Sequence, residues 1–178
     1  MIGNSPYKED IARLFREGLD LERLHGKTIL VAGATGLVGG CVVDVLMQNP
    51  VRCYKVIAAG RNKERARQKF AAYWGDESFF FAEIDVTQPV TKSMDRMIGE
   101  PVYDELAEGA DYIIDAASNA SPNFFSQHPV EVMKANINGV SNLLEYGLSH
   151  RMKRMVYISS GEIYGEGDGS EFSEKSSG

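Results

Sequence analysis

Seven consecutive residues, Gly33-Ala34-Thr35-Gly36-Leu37-Val38-Gly39, carry the densest chemical signal in the sequence. A short apolar run, Lys27 to Ala32, leads into them, and Leu37 to Met47 continues with apolar residues at helical spacing. Strand, glycine turn and helix in that order make a cradle for an anion. The first glycine permits the tight turn, the second lets backbone approach a pyrophosphate, and the third lets the helix pack closely on the strand. The first N–H groups of a helix find no partner inside it, and its dipole is positive at that end. In this setting the glycine triplet points to a dinucleotide.

Other reactive side chains are sparse. The two cysteines, Cys41 and Cys53, have no Cys or His neighbour at metal-ligand spacing, and burial is the ordinary fate of such thiols. The three histidines, His25, His128 and His150, are scattered, so no metal site is expected. The stretch after the second apolar run, Arg61 to Tyr73, is basic, with Lys63, Arg65 and Arg67 close behind Arg61. Such a stretch is either an anion-binding edge or a solvated helix face.

The elements that must position these residues alternate along the chain. Strands are expected at Lys27–Ala32, Val56–Ala59, Ser78–Ile84, Asp111–Ala116 and Met155–Ser159. Helices are expected at Leu37–Met47, Arg61–Tyr73 and Pro129–Leu148, the last carrying Val132, Met133, Ile137, Val140, Leu143 and Leu144. Near-continuous apolar strands between helices imply an α/β fold, a doubly wound parallel sheet with helices on both faces. Its ligand crevice lies at the carboxyl ends of the strands. An amphipathic helix over residues 7–24 (Ile11, Leu14, Phe15, Leu19 and Leu21 among charges) precedes this unit as an extension covering residues 1–25. The dinucleotide-binding unit then spans 26–165, and 166–178 reads as a polar loop.

Composition sets limits. A chain of 178 residues with 43% apolar and 25% charged residues has the profile of a soluble globular domain. A net charge of −6 argues against non-specific nucleic-acid binding, which needs clustered cations. No run approaches the roughly 18 apolar residues of a membrane span, and the charged first 20 residues hold no secretion signal. A cytoplasmic location is expected.

Four motifs in order make the sequence resemble a known family. The spacing Gly33-x-x-Gly36-x-x-Gly39 is similar to that of the extended short-chain dehydrogenase/reductases, the NAD-dependent epimerases and dehydratases. Asp85-Val86 follows the third strand, Ala116-Ala117-Ser118 ends the fourth, and Ser159-Ser160-Gly161-Glu162-Ile163-Tyr164-Gly165 ends the fifth. The resemblance covers Gly26 to Gly165 and implies a Rossmann-like sheet. It gives Asp85 the adenine amino group as donor and places Val86, Ala116, Ala117 and Ser118 along the cofactor cleft. Members selective for NAD carry an acid at the end of the second strand. Here Gly60 is followed by Arg61 and Asn62, which inclines an NAD or NADP choice toward NADP, because guanidinium pairs with a 2′-phosphate.

The resemblance also implies a substrate. Ser118-Asn119-Ala120-Ser121-Pro122 looks like a loop of the UDP-glucuronate decarboxylases, relatives of the nucleotide-sugar 4,6-dehydratases, and puts Ser118, Asn119 and Ser121 beside the sugar. Ser160 would hydrogen-bond the hydroxyl being oxidised, with Asn136 and Glu162 near the reacting groups. Read from residue type alone, these three are a turn former, a helix-kink partner and a surface carboxylate. The dehydratases place an acid just before the glutamate, where this sequence has Gly161, so decarboxylase or epimerase fits better than dehydratase. The expected ligand is a UDP- or dTDP-linked sugar, and the expected assembly of a longer parent is a homodimer.

One expected part is not in these residues. The family's base is a tyrosine with a lysine four positions later, which lowers the phenol from its ordinary pKa of about 10. None of the eight tyrosines has that partner; Tyr157 precedes Gly161 and Tyr146 precedes His150 at that spacing. The resemblance therefore implies the cofactor-binding part of a longer enzyme, with later strands and the substrate lobe missing and no turnover of its own. Two other functions stay open, an NADP-dependent carbonyl reductase and a non-catalytic dinucleotide sensor.

Overall fold

The computed structural model describes residues 5–118, 122–165 and 171–176. Five strands, β1 (Thr28–Ala32), β2 (Lys55–Gly60), β3 (Phe79–Glu83), β4 (Tyr112–Asp115) and β5 (Arg154–Tyr157), form one parallel sheet in the order β3-β2-β1-β4-β5. The helices are α1 (Ser5–Arg16), α2 (Leu37–Met47), α3 (Lys63–Lys69), α4 (Val90–Met94), α5 (Pro101–Glu108), α6 (Pro122–Gln127) and α7 (Pro129–Ser149). The doubly wound architecture expected from the sequence is the one observed.

Alternation along each strand builds the two layers. Ile29 and Val31 of β1 point to one face, where Val43 and Leu46 of α2 and Ala66 of α3 cover them together with Phe70. Leu30 and Ala32 point to the other, under Val90 of α4, Val102 and Leu106 of α5, and Leu143 and Tyr146 of α7. From Ile29 to Ala32 both faces of the central strand are buried and carry only apolar side chains. β5 forms the edge, with Val156 and Tyr157 half exposed.

Differences from the expected elements have local causes. The first helix stops at Arg16 because Gly18, at φ +94°, closes a Schellman cap in which Leu19 N–H donates to the Leu14 carbonyl at 2.9 Å and Gly18 N–H to that of Phe15 at 3.2 Å. A short 3-10 turn, Glu22–Leu24, follows. Helix α3 starts later than Arg61 because the Asn62 side chain accepts the Arg65 N–H at 2.7 Å and so caps it. It ends where Phe70 turns into the core against Phe79, 5.5 Å between ring centroids.

At the amino ends of the strands, Asp111 joins three of them. It accepts the Thr28 N–H at 3.1 Å and pairs with Lys153 at 3.1 Å, on the segments leading into β1 and β5. That clamp lies at the edge away from the glycine turn, which follows the carboxyl end of β1. Sheet order reverses between β1 and β4, so the connections after these two strands run in opposite directions and leave a crevice between them.

Candidate functional site

The glycine turn sits at that crevice, and each glycine has a separate reason. Gly33 has φ +71°, and a β-carbon there would overlap the carbonyl of Ala116 at the end of β4. Gly36 N–H donates to the Gly33 carbonyl at 2.9 Å, closing the turn, and Gly36 serves as the N-cap of α2. A β-carbon on Gly39 would come within 2.5 Å of the Gly33 carbonyl oxygen, so this position seats the helix on the strand end. Ala34, fully buried, donates its N–H to the Ala59 carbonyl of β2 at 3.0 Å. The turn is thereby tied to β2 and pressed against β4, and the first-turn N–H groups of Leu37, Val38 and Gly39 have no acceptor within the helix.

In front of the turn lies a cleft of about 750 Å³, within the roughly 300–1,000 Å³ usual for ligand sites. Four strand ends contribute to it. Gly33, Thr35, Gly36 and Leu37 come from the first, and Gly60, Arg61 and Arg65 from the second. Ile84, Asp85, Val86 and Thr87 follow β3, and Ala116, Ala117 and Ser118 follow β4. Asn123, Phe124 and Gln127 of α6 and Ala135 of α7 close the side.

Of the residues expected at a cofactor cleft, Gly33, Thr35, Gly36, Leu37, Arg61, Asp85, Val86, Ala116, Ala117 and Ser118 therefore meet there. Ala34 lies beneath the turn, Val38 and Gly39 stand in the first helical turn, and Asn62 is engaged as the cap of α3. Ser160, Glu162 and Asn136 are not among the residues that line the cleft. Ser160 is exposed and its hydroxyl accepts the Glu162 N–H at 3.3 Å, capping a 3-10 turn over Gly161–Tyr164. Glu162 is exposed, and Asn136 is half buried beside the cleft-lining Ala135. Asn119 and Ser121 lie outside the described residues.

Several residues that line or brace the cleft escape a reading by sequence alone. Thr87 donates both its N–H and its hydroxyl to Asp85 Oδ1, at 3.1 and 2.8 Å, and so fixes the carboxylate that faces the cleft. Asn142 of α7 donates to the Val86 carbonyl at 2.7 Å, and a β-carbon on Gly139 would stand 3.0 Å from Val86, so α7 holds the loop after β3 at close range. The residues of α6 belong to a six-residue helix, too short for periodicity to announce it.

The basic stretch divides its charges. Lys63 pairs with Glu100 at 2.6 Å, and Arg67 lies over Trp74, 5.7 Å from the ring centroid. Arg61 and Arg65 line the cleft. At the end of β4, Asp115 is almost fully buried and accepts the Ala117 N–H at 2.9 Å, which shapes the loop carrying Ala116 to Ser118. Burial pushes its carboxyl above the ordinary range, against the opposing pull of that N–H. Among the described residues no three His, Cys, Asp or Glu side chains gather to hold a metal ion, and no helix is long and apolar enough to cross a membrane.

A five-stranded parallel sheet with its glycine turn at the switch point defines a Rossmann-like α/β fold. Residues 29–178 match the model of the NAD dependent epimerase/dehydratase family, and the chain belongs to that family. UDP-glucuronic acid decarboxylase 6 of Arabidopsis thaliana is 31% identical over 139 residues, 78% of this chain and 35% of that protein. The chain thus spans about a third of the length of such relatives. Among solved structures, the UDP-glucose 4-epimerase of Thermotoga maritima with UDP-glucose is 26% identical, with a TM-score of 0.58 over 79% of this chain and 40% of that one. The dTDP-glucose 4,6-dehydratase of Streptomyces venezuelae with NAD bound shares the fold at a TM-score of 0.67 and 22% identity, covering 84% of this chain and 44% of that one.

Two substitutions test this geometry. Gly33→Ala puts an L-residue at positive φ against the Ala116 carbonyl, and should cost roughly 2 kcal/mol or more of stability in urea unfolding. Asp115→Asn keeps an acceptor for the Ala117 N–H without the buried charge, so it should be more stable than wild type at neutral pH. Because the wild-type carboxyl is raised in the fold, wild-type stability falls as pH rises from the ordinary carboxylate range through the raised pKa. The advantage of the variant should therefore shrink as pH is lowered through that window, which melting curves across pH would follow.

Proposed function

We propose that the cleft binds NAD(P), and that the chain is the cofactor-holding part of an enzyme that oxidises a hydroxyl of a UDP- or dTDP-linked sugar. The observation that carries this reading is the glycine turn at the start of α2, whose Gly36 and Leu37 line a cleft bounded at its other strand ends by Arg61, Asp85 and Ala116. Cradle and cleft fit a dinucleotide: the amides of Leu37 to Gly39 take the diphosphate. Asp85, held by Thr87, takes the adenine amino group. Arg61 and Arg65 line the cleft, and a guanidinium pairs well with a ribose 2′-phosphate, which supports NADP. When bound, the cofactor supplies a reversible hydride acceptor.

On the substrate side, Ser118 lies at the cleft, and Asn119 and Ser121, which follow it in sequence, are the proposed sugar contacts. Ser160, Glu162 and Asn136 approach the reacting oxygen once a sugar is seated. Loss of the C4 hydride, which a bound NAD(P) would accept, together with the proton of the C4 hydroxyl would leave a ketone, and that ketone acidifies the C5 proton, the entry to epimerisation, elimination or decarboxylation. The likeness to UDP-glucuronic acid decarboxylases and a UDP-glucose 4-epimerase supports that substrate class. Helix α7 exposes Val130, Met133 and Ile137, a face suited to a second copy of the chain.

A second reading, an NADP-dependent carbonyl reductase, draws on the same Arg61 and Arg65. It would consume NADPH in step with ketone, whereas internal return of the hydride gives no net redox change. Titration should find NADP bound about tenfold or more tightly than NAD, with Arg61→Ala and Arg65→Ala each removing most of that preference. Equal affinity for both cofactors would overturn the NADP assignment. With no tyrosine followed by lysine at the needed spacing, the 178-residue chain should bind cofactor yet reduce none of it in a single-turnover assay with UDP-glucuronate.

A further inference from the structure

The last residue of α3, half-buried Lys69, sends its side chain toward the back of the glycine turn. Its ammonium donates to the Thr35 carbonyl at 3.2 Å and to the Gly36 carbonyl, and lies 5.6 Å from the centre of the Phe70 ring. The space it occupies exists because residue 40 is glycine: a β-carbon there would overlap both Nζ and Cε of Lys69. Lys69 is not among the residues lining the cleft, so the turn separates it from any ligand. The nearest carboxylate, Asp44, is bonded by the hydroxyls of Tyr7 at 2.8 Å and Tyr73 at 3.0 Å.

A lysine ammonium has three donors and no acceptor, so backbone carbonyls can replace part of the water it gives up. The Gly36 carbonyl already accepts the Gly40 N–H at 3.2 Å, and Lys69 adds a charged donor to it. Every described peptide bond is trans. In a trans peptide N–H and C=O point in opposite directions. Fixing the Gly36 carbonyl toward α3 therefore turns the Leu37 N–H away from α3. Hydrogen bonds in series polarise one another, so a cation on the carbonyl makes that N–H a stronger donor.

We propose that Lys69 is a positioning residue for the diphosphate: it holds the Thr35 and Gly36 carbonyls from behind, aims and polarises the Gly36–Leu37 peptide, and requires glycine at position 40. The inference rests on the reading of the cleft as a dinucleotide site. Burial lowers the pKa of Lys69, opposed by the nearby Asp44 carboxylate. The site thus keeps its cation at a cost in hydration, as expected of a charge with a task.

The test compares ADP, which carries the diphosphate, with adenosine, which does not, by calorimetric or NMR titration of the 178-residue chain. Lys69→Met should weaken ADP by about tenfold and leave adenosine within about twofold. Gly40→Ala retains the lysine but displaces its ammonium, and should reproduce the selective loss of ADP. The double variant should bind ADP no worse than Lys69→Met alone, because both changes remove one interaction. Unchanged ADP affinity in Lys69→Met, a parallel loss of ADP and adenosine, or additive losses in the double variant would each overturn the proposal. A wild-type chain without ADP affinity would overturn the dinucleotide reading and this inference with it. Wild-type affinity kept in both single variants would defeat the inference alone.

Discussion

The contact on which the rest of the structure depends is the close approach of Gly33 to the Ala116 backbone. It joins the ends of β1 and β4, where the order of strands reverses, and it leaves no room for a side chain. Because the two backbones meet there, α2 begins beside the crevice and not above the sheet face. Gly39 then sets the helix down on the turn, and the start of α2, through Gly36 and Leu37, stands at the opening. A Rossmann-like cleft is in this sense a consequence of one absent β-carbon at a switch point.

Around that contact the molecule sorts its charges by position. The basic run after β2 reads as uniform in sequence, yet its members do unlike things. Lys63 reaches Glu100, Arg67 covers Trp74, Lys69 returns to the glycine turn, and Arg61 and Arg65 face the cleft. Carboxylates are sorted likewise. Asp111 draws the amino ends of three strands together, Asp115 shapes the loop after β4, and Asp85 is presented to the cleft by Thr87. Net charge alone would have hidden this division, since each group acts over a few ångströms.

Much of the fold was legible in the sequence because its strands are short apolar runs, β1 and β2 among them buried on both faces. All five appear within a few residues of their expected bounds, and Leu37–Met47 coincides with α2. The glycine turn was readable for the same reason, since its spacing encodes backbone contacts. Helices α4 and α6, of five and six residues, offered too few turns for a period to emerge, and α1 ended early at a glycine cap. At the site, residues adjacent to strand ends were found and those arriving from elsewhere were not. Phe124 and Asn142 act through tertiary proximity that no local pattern records. Ser160, Glu162 and Asn136 rest on resemblance, and the first of them serves in this structure as a turn cap.

Backbone NMR on the labelled chain during titration with ADP addresses the central claim most directly. If helix-end amides hold the diphosphate, the largest shifts fall on Leu37, Val38 and Gly39, followed by Asp85 and by Ala116 to Ser118. Shifts spread over α5 or the amino ends of the strands, with those amides unmoved, would contradict it.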